Sequence, residues 1–391
     1  MTLAVIVEAR KWRSKMRIFK MAALLAILEL WALGSIAFAA AASPDLLNAR
    51  KEAEAKGYTF ITGHDEILAK AKDEGRLRVL SSLQPGALKE MAKAFMQKYP
   101  FIDVHAEEST GTEAAQRLLL GLEAGMVRDW DTFNLSADFY DQLAPHTRKF
   151  DILGMAKHGV LSIPTGMIDP HNRNIIAWGS SVSAIAYNRS LIPLDKVPNK
   201  WEDFLKPEFK GRKLLVDIRP TGMVSLVQAM GEQWVINYAR GLKEQEPIWV
   251  RGHSRSLTAM VAGEYGLFQL TNYNSCMRSL QRDPKKSLVC KIIEPVPVRL
   301  VGTEAVFSPA PHPYAALLWL EFEASPEGQK IIDEHDMLTS SMYAPGSAVE
   351  ELTRGKKVSV NNWDTYSLTS KWIKMIVEAF GFPRAAGTKK K

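Results

Sequence analysis

The sequence predicts an α/β protein of two lobes, joined by extended crossing segments and separated by a cleft. Three observations carry that prediction. Short β-type runs alternate with amphipathic helical runs between residues 76 and 136, as in a parallel-rich sheet with helices on its faces. The alternation then gives way to two extended stretches, "GVLSIPTG" and "IIAWGSSVSAIAYN", suited to crossing between lobes. It resumes at "RKLLVDI" and continues through the second half.

Each element has a local reason. Residues 43–75 read as a helical lead-in, with "DEILAKAKDEG" closed by Gly75 as a C-cap. "RLRVLSS" is a strand. "PGALKEMAKAFMQKYP" sets Leu88, Met91, Ala92 and Phe95 on one face, between Pro85 at its start and Pro100 at its stop. "IDVHAEE" is the next strand, and "TGTEAAQRLLLGLEAG" follows with Thr110 and Glu113 at capping-box spacing. "DWDTFNLS" is a third strand. In the second half "TGMVSLVQAMGEQWVINYARGL" and "SLTAMVAGEY" are helical, "GLFQLTN" is a strand, "NSCMRSLQRD" a helix and "SLVCKIIEPV" a strand. "HPYAALLWLEFEAS" and "PEGQKIIDEHD" close the series as helices, the latter with Ser325 and Pro326 as N-cap and first residue. The expected organisation is a signal over 1–42, the lead-in over 43–75, lobe 1 over 76–180 and about 301–340, and lobe 2 over 181–300 and about 341–391.

The formal charge of the 391 residues is +7, but six Lys/Arg and two Glu stand within residues 1–42, leaving 44 basic and 41 acidic residues. Three of those are the terminal Lys389, Lys390 and Lys391. A nearly neutral body argues against a nucleic-acid-binding face. The basic start and "MAALLAILELWALGSIAFA" have the form of an export signal, cut after Ala39 or Ala42, with Met16 and Met21 as alternative starts. Glu29 inside the apolar stretch argues against a permanent anchor. An exported chain follows, and Cys276 and Cys290 are then expected to be bridged. Closing so short a loop contributes about 3 kcal/mol.

Ligands of open α/β sheets bind beyond the carboxyl ends of strands, where helices begin. Four turns qualify: "SSLQPG" with Ser81, Ser82 and Gln84; "ESTGTE" with Thr110, Gly111 and Thr112; "SADF" with Ser136 and Asp138; "RPTGM" with Arg219, Thr221 and Gly222. Free amides and short hydroxyls there favour anionic or polyhydroxylated ligands. Asn272, Tyr273 and Asn274 follow "GLFQLTN" by the same rule, and the Tyr273 phenol can hydrogen-bond, stack or coordinate a metal. Arg255 is a further anion partner and Trp178 a stacking candidate, whereas His253 and His312 lack metal-ligand spacing. An enzyme is the rival class, with Cys276 as nucleophile. No GxSxG, HExxH, Walker A or GxGxxG motif stands in the chain, and a bridged cysteine is no nucleophile. The expectation is a non-enzymatic binding protein.

"AKDEGRLRVLSSLQPGALKEMAKAFMQKYPFIDV", "GTEAAQRLLLGLEAGMVRDWD", "KWEDFLKPEFKGRKLLVD", "MVAGEYG" and "HPYAALLWLEFEASPEGQKII" stand in this order over about residues 65–335. In them the chain resembles the family 1 extracellular solute-binding proteins of ABC importers, in the group that contains ferric-iron-binding proteins. The resemblance implies a type 2 periplasmic-binding, or Venus-flytrap, fold that closes as a monomer on its ligand. It also implies delivery to ABC permease subunits in the inner membrane, with no cofactor beyond a ferric ion as cargo. Ferric-binding members carry two adjacent tyrosines, a histidine and a carboxylate at positions that correspond here to Tyr273 and Asn274, Gln84, and Ser136 with nearby Asp138. The replacements leave a largely neutral hydrogen-bonding edge for an organic or oxyanion ligand. A ferric ion or ferric chelate is the alternative cargo, with Tyr273 as its protein metal ligand.

Overall fold

The computed structural model describes residues 43–382. The signal segment, its two cleavage sites and the terminal lysines lie outside the described residues. The compact unit that begins at Leu46 is built on ten strands: β1 (Arg76–Ser81), β2 (Asp103–Glu108), β3 (Thr132–Asn134), β4 (Ile175–Asn188), β5 (Leu215–Asp217), β6 (Ile248–Val250), β7 (Leu267–Asn272), β8 (Leu288–Lys291), β9 (Val296–Val306) and β10 (Val358–Asn361). The helices of nine residues or more are α1 (Pro44–Ala55), α2 (His64–Glu74), α3 (Pro85–Lys98), α4 (Gly111–Glu123), α5 (Glu232–Glu244), α6 (His253–Ala262), α7 (Tyr273–Gln281), α8 (Pro313–Ala324), α9 (Pro326–His335) and α10 (Thr369–Ala379).

The strands run in the order β2-β1-β3-β9-β4-β7-β5-β6, with β10 beside β9 and β8 beside β4. Pairing is parallel within β2-β1-β3 and within β7-β5-β6. It is antiparallel where β9 and β4 join these two parallel sets. The fold is two-lobed. One core surrounds Phe95, Phe133, Trp319 and Phe322. The other surrounds Trp201, Phe204 and Tyr238, with Leu215 and Phe268 beside it. Burying each such side chain contributes roughly 2 kcal/mol.

The two crossings are β4 and β9. Every residue of β4 is buried, Ile175–Trp178 in the first core and Ile185 and Tyr187 in the second. Leu300, Ala305 and Val306 of β9 enter the first core, while Val296 and Val298 sit with Val182 and Val349 in a small cluster. The expectation of a crossing at "GVLSIPTG" is corrected: Val160, Leu161 and Ile163 are buried in the first core, and Thr165–Met167 is a 3₁₀ turn. The second crossing escapes a sequence reading because Pro297 stands inside it, and proline argues against a central strand. The expected long helix after Thr221 is also broken. Gly231, at φ +88, makes a turn that most residues avoid, and α5 starts after it.

The lead-in joins the first core through Phe60, Ile67 and Ala71. Gly75 closes α2 in the left-handed conformation at φ +65, its N–H donating to the Ala71 carbonyl. From beyond residue 341, Ala344, Trp363 and Tyr366 also pack into the first core. Cys276 and Cys290 are bridged with their Cα atoms 6.0 Å apart, tying α7 to β8. No described helix is long and apolar enough to cross a membrane.

Candidate functional site

A cleft of about 830 Å³ opens where the strand ends of both lobes meet. From the first lobe come Ser82 after β1, Thr110 and Gly111 before α4, and Ser136 and Asp138 after β3. The second contributes Arg219 and Thr221 after β5, residues 251–255 after β6, and Asn272 at the end of β7. The floor is the crossing strand β9, through Arg299 to Thr303. Strand ends gather there because both parallel sets point their carboxyl ends at the crossings.

Six sequence-predicted residues lie outside the lining. Ser81 is buried and donates to Glu304 Oε2 at 2.9 Å. Gln84 is exposed at the start of α3. Thr112 donates to Asp138 Oδ2 at 3.2 Å from just beyond the lip. Gly222 has a packing reason: a Cβ there would come within 2.2 Å of Leu270 and 2.5 Å of Ser183. Tyr273 begins α7 and packs beside Val182, Val296, Val298 and Val349, where burial raises its pKa and keeps the phenol neutral. Asn274 turns its Oδ1 back to accept from the Ser275 N–H at 2.7 Å. The expected capping box at Thr110 and Glu113 is not formed. Thr110 stands at the N-cap without a side-chain cap, its hydroxyl donating instead to Glu108 Oε1 at 3.2 Å.

Electrostatics divide the cleft into paired and unpaired charge. Asp138 and Arg219 reach across it from opposite lobes, at 3.6 Å. Asp217 is buried and accepts from the Arg219 N–H at 2.8 Å and the Gly252 N–H at 3.4 Å. His253 opens α6, its Nδ1 2.9 Å from Thr271 Oγ1 and its Nε2 3.6 Å from Asp217. Burial pulls its pKa down, Asp217 opposes, and Arg299 and Arg219 add to the lowering, so the ring is neutral near pH 7. Arg299 is different. Its Nε is buried without a partner, and its guanidinium makes no ion pair among the described residues. Burial lowers its pKa, with neighbouring Arg219 acting in the same direction and Tyr366 and Asp138 against it. Tyr366, whose hydroxyl is 3.3 Å from Thr303 Oγ1, is pushed up to about 12 by burial and is a neutral donor.

A sequence reading misses Arg299, Arg251, Tyr366 and the cleft position of His253. The available signal for Arg299 is a lone cation inside the largely apolar "VPVRLVGTEAV", whose other charge is Glu304. Trp178 is buried under Gly302, where a Cβ would meet the indole at 2.0 Å, and does not line the cleft. His312 is structural, its N–H and ring both meeting buried Asp131. Among the described residues no three His, Cys, Asp or Glu side chains gather as a metal site.

The family model described as bacterial extracellular solute-binding protein matches residues 144–367, more than half of the chain. No curated protein sequence matches. Among solved structures, the apo ferric ion-binding protein A of Pasteurella haemolytica superposes with a TM-score of 0.60 at 15% identity, covering 78% of this chain and 98% of that one. The Trichodesmium protein IdiA (FutA), in complex with iron and citrate, gives 0.59 at 18%, covering 78% and 99%. The ferric binding protein of Campylobacter jejuni gives 0.57 at 22%, covering 78% and 100%. At these identities the likeness is one of fold.

Proposed function

The chain belongs to the bacterial extracellular solute-binding protein family, and from that premise we propose that it is the ligand-capture component of an ABC importer. It is exported to the periplasm, closes its two lobes on a small anionic solute in the cleft, and hands that solute to permease subunits in the inner membrane. The sites are those that meet in the cleft: Ser82, Thr110, Ser136, Arg219, Thr221 and Asn272, with Arg299 at the floor. The protein works as a monomer and makes or breaks no covalent bond in its ligand.

One observation carries the reading: Arg299 stands in the cleft floor with a buried, unpartnered Nε. A guanidinium stays charged at any physiological pH, and a partly buried charge with no ion partner carries a desolvation cost. An anion arriving between the lobes supplies the missing partner. A bare ferric ion fits less well. The charged side chains of the cleft are four arginines against Asp138 and Asp217, and Tyr273 packs elsewhere as a neutral phenol. A ferric chelate, favoured by the iron and citrate bound to the Trichodesmium structure, is the second reading, because such a chelate can present carboxylates to Arg299.

A thermal-shift panel on the chain from Ser43 separates these readings, using ferric citrate, ferric salts, phosphonates, sugar phosphates, polyamines and neutral sugars. A saturating anion at about 100 times its Kd stabilises the protein by about 2.7 kcal/mol. Anionic solutes are expected to raise Tm with or without a chelator. A shift given by bare ferric salts alone, and lost in Tyr273→Phe, contradicts the proposal.

A further inference from the structure

The charges of the cleft narrow the ligand class further, on the basis of that capture reading. Four arginines, Arg219, Arg251, Arg255 and Arg299, line the cleft against two aspartates, Asp138 and Asp217. Asp217 turns its oxygens to backbone amides and Asp138 is matched by Arg219, so the cationic surplus is two charges. It is not shared evenly. Arg219, Arg251 and Arg255 are exposed, whereas Arg299 is partly buried in the floor, with Arg219 near enough to help lower its pKa.

The donors around that floor come from three directions. Arg299 offers a planar fork from β9. The first turns of α4 and α6 reach in from opposite lobes, and neither carries a side-chain cap, so their opening amides are donors to whatever fills the cleft. One arginine fork satisfies a planar carboxylate. Donors converging from three sides, with two charges to neutralise, match a tetrahedral dianion. The cleft, at about 830 Å³, is also far larger than a lone tetraoxo anion. The apolar part of its wall comes from Ala137, Val301 and Ile373, Leu135 and Leu300 being buried in the first core.

We infer that the cleft takes an organic phosphoryl compound, a phosphate monoester or a phosphonate, whose doubly charged head sits on Arg299 and Arg219 with its carbon body along the apolar wall. The head displaces nothing covalent. Arg219 turns from Asp138 toward the ligand, which makes the cross-cleft ion pair the latch that the ligand replaces.

Isothermal titration of the chain from Ser43 tests this with four probes: a set of phosphate monoesters, a set of alkylphosphonates, inorganic phosphate and the dicarboxylate succinate. Monoesters or phosphonates are expected to bind, inorganic phosphate at least tenfold more weakly for want of a body, and succinate more weakly still. Which of the first two binds tells a C–O–P from a C–P linkage. Arg299→Gln is expected to lose at least 100-fold in affinity while Arg299→Lys keeps part of it, with circular dichroism confirming that both fold. Affinity for a phosphate monoester should rise between pH 5.5 and 7.5 as its second proton leaves at about pH 6. Binding of succinate or a ferric chelate with no phosphoryl binding overturns the inference and leaves the capture reading standing. So does phosphoryl binding that Arg299→Gln does not weaken. If no small solute of the wider panel binds, both fail.

Discussion

Arg299 and Glu304 stand five residues apart on the same crossing strand and meet opposite fates. The odd spacing, in a ladder to β4 that keeps its register from Ile175 to Val182, puts them on opposite faces. Arg299 faces the cleft with no anion; Glu304 is buried in the first lobe with no cation. Around Glu304 are only neutral donors, Ser81 Oγ at 2.9 Å and Thr132 Oγ1 at 2.8 Å. Behind it Glu323 of α8 is buried, and the indole N–H groups of Trp178 and Trp319 stand close enough to the two carboxyls to oppose part of their pKa rise without closing a hydrogen bond of normal geometry. Burial pushes Glu304 up to about 7. Glu323 is raised well above the usual carboxylate range by burial and by Glu304. The carboxyls resolve their burial by keeping protons. A guanidinium has no such recourse, so Arg299 needs an anion from outside. The difference separates a charge the fold can neutralise alone from one that calls for a ligand.

Breaking the acid side should have the largest effect. Glu304→Ala removes the acceptor of two buried hydroxyls and leaves a cavity, and is expected to cost about 3–4 kcal/mol in urea unfolding. The pH dependence of the intact protein comes next. Below pH 4.5 both folded and unfolded states hold the Glu304 proton. Above it the unfolded chain ionises while the folded one does not, until about pH 7. Stability should therefore fall as pH rises through that window, by up to about 1.4 kcal/mol per pH unit for one proton. A flat Tm from pH 5 to 7 in the unliganded protein, with other groups held constant by comparison with Glu304→Gln, would show that the acid is already ionised.

Two smaller effects sharpen the contrast. Glu323→Leu is expected to stabilise the fold by about 1–2 kcal/mol at pH 8, because an unpartnered buried acid gives way to an apolar side chain. Arg299→Met should likewise raise the Tm of the unliganded protein slightly while abolishing the ligand-induced shift. That is opposite in sign to the usual cost of truncating a core residue. Tyr273→Phe should change neither stability nor anion affinity beyond about 0.5 kcal/mol, since its ring packs in the small valine cluster away from the cleft lining.

Much of the fold was legible because its signals are local. The strand β4 coincides with the apolar "IIAWGSSVSAIAYN". Ser325 caps α9 by accepting from the Gly328 N–H at 3.1 Å, and the cysteine pair is bridged. Cleft positions such as Ser82, Ser136, Arg219 and Asn272 were legible for a topological reason: they follow strands. What stayed hidden depends on direction. Tyr273 and Asn272 are neighbours, yet α7 begins between them, so one side chain lines the cleft and the other turns into the valine cluster. Arg299 was masked by Pro297, which obscured the strand that aims it. The Glu304–Glu323 contact joins β9 to α8, a tertiary pairing that spacing along the chain does not disclose.

The most direct test of the account is a crystal structure of the chain from Ser43 grown with a binding phosphate ester or phosphonate and equimolar ferric citrate, with data collected at the iron absorption edge. The account predicts a tetrahedral head within about 3 Å of the Arg299 guanidinium, lobes closed over it, and no anomalous peak in the cleft. An iron peak coordinated by the Tyr273 oxygen, with Arg299 still unpartnered, would contradict it.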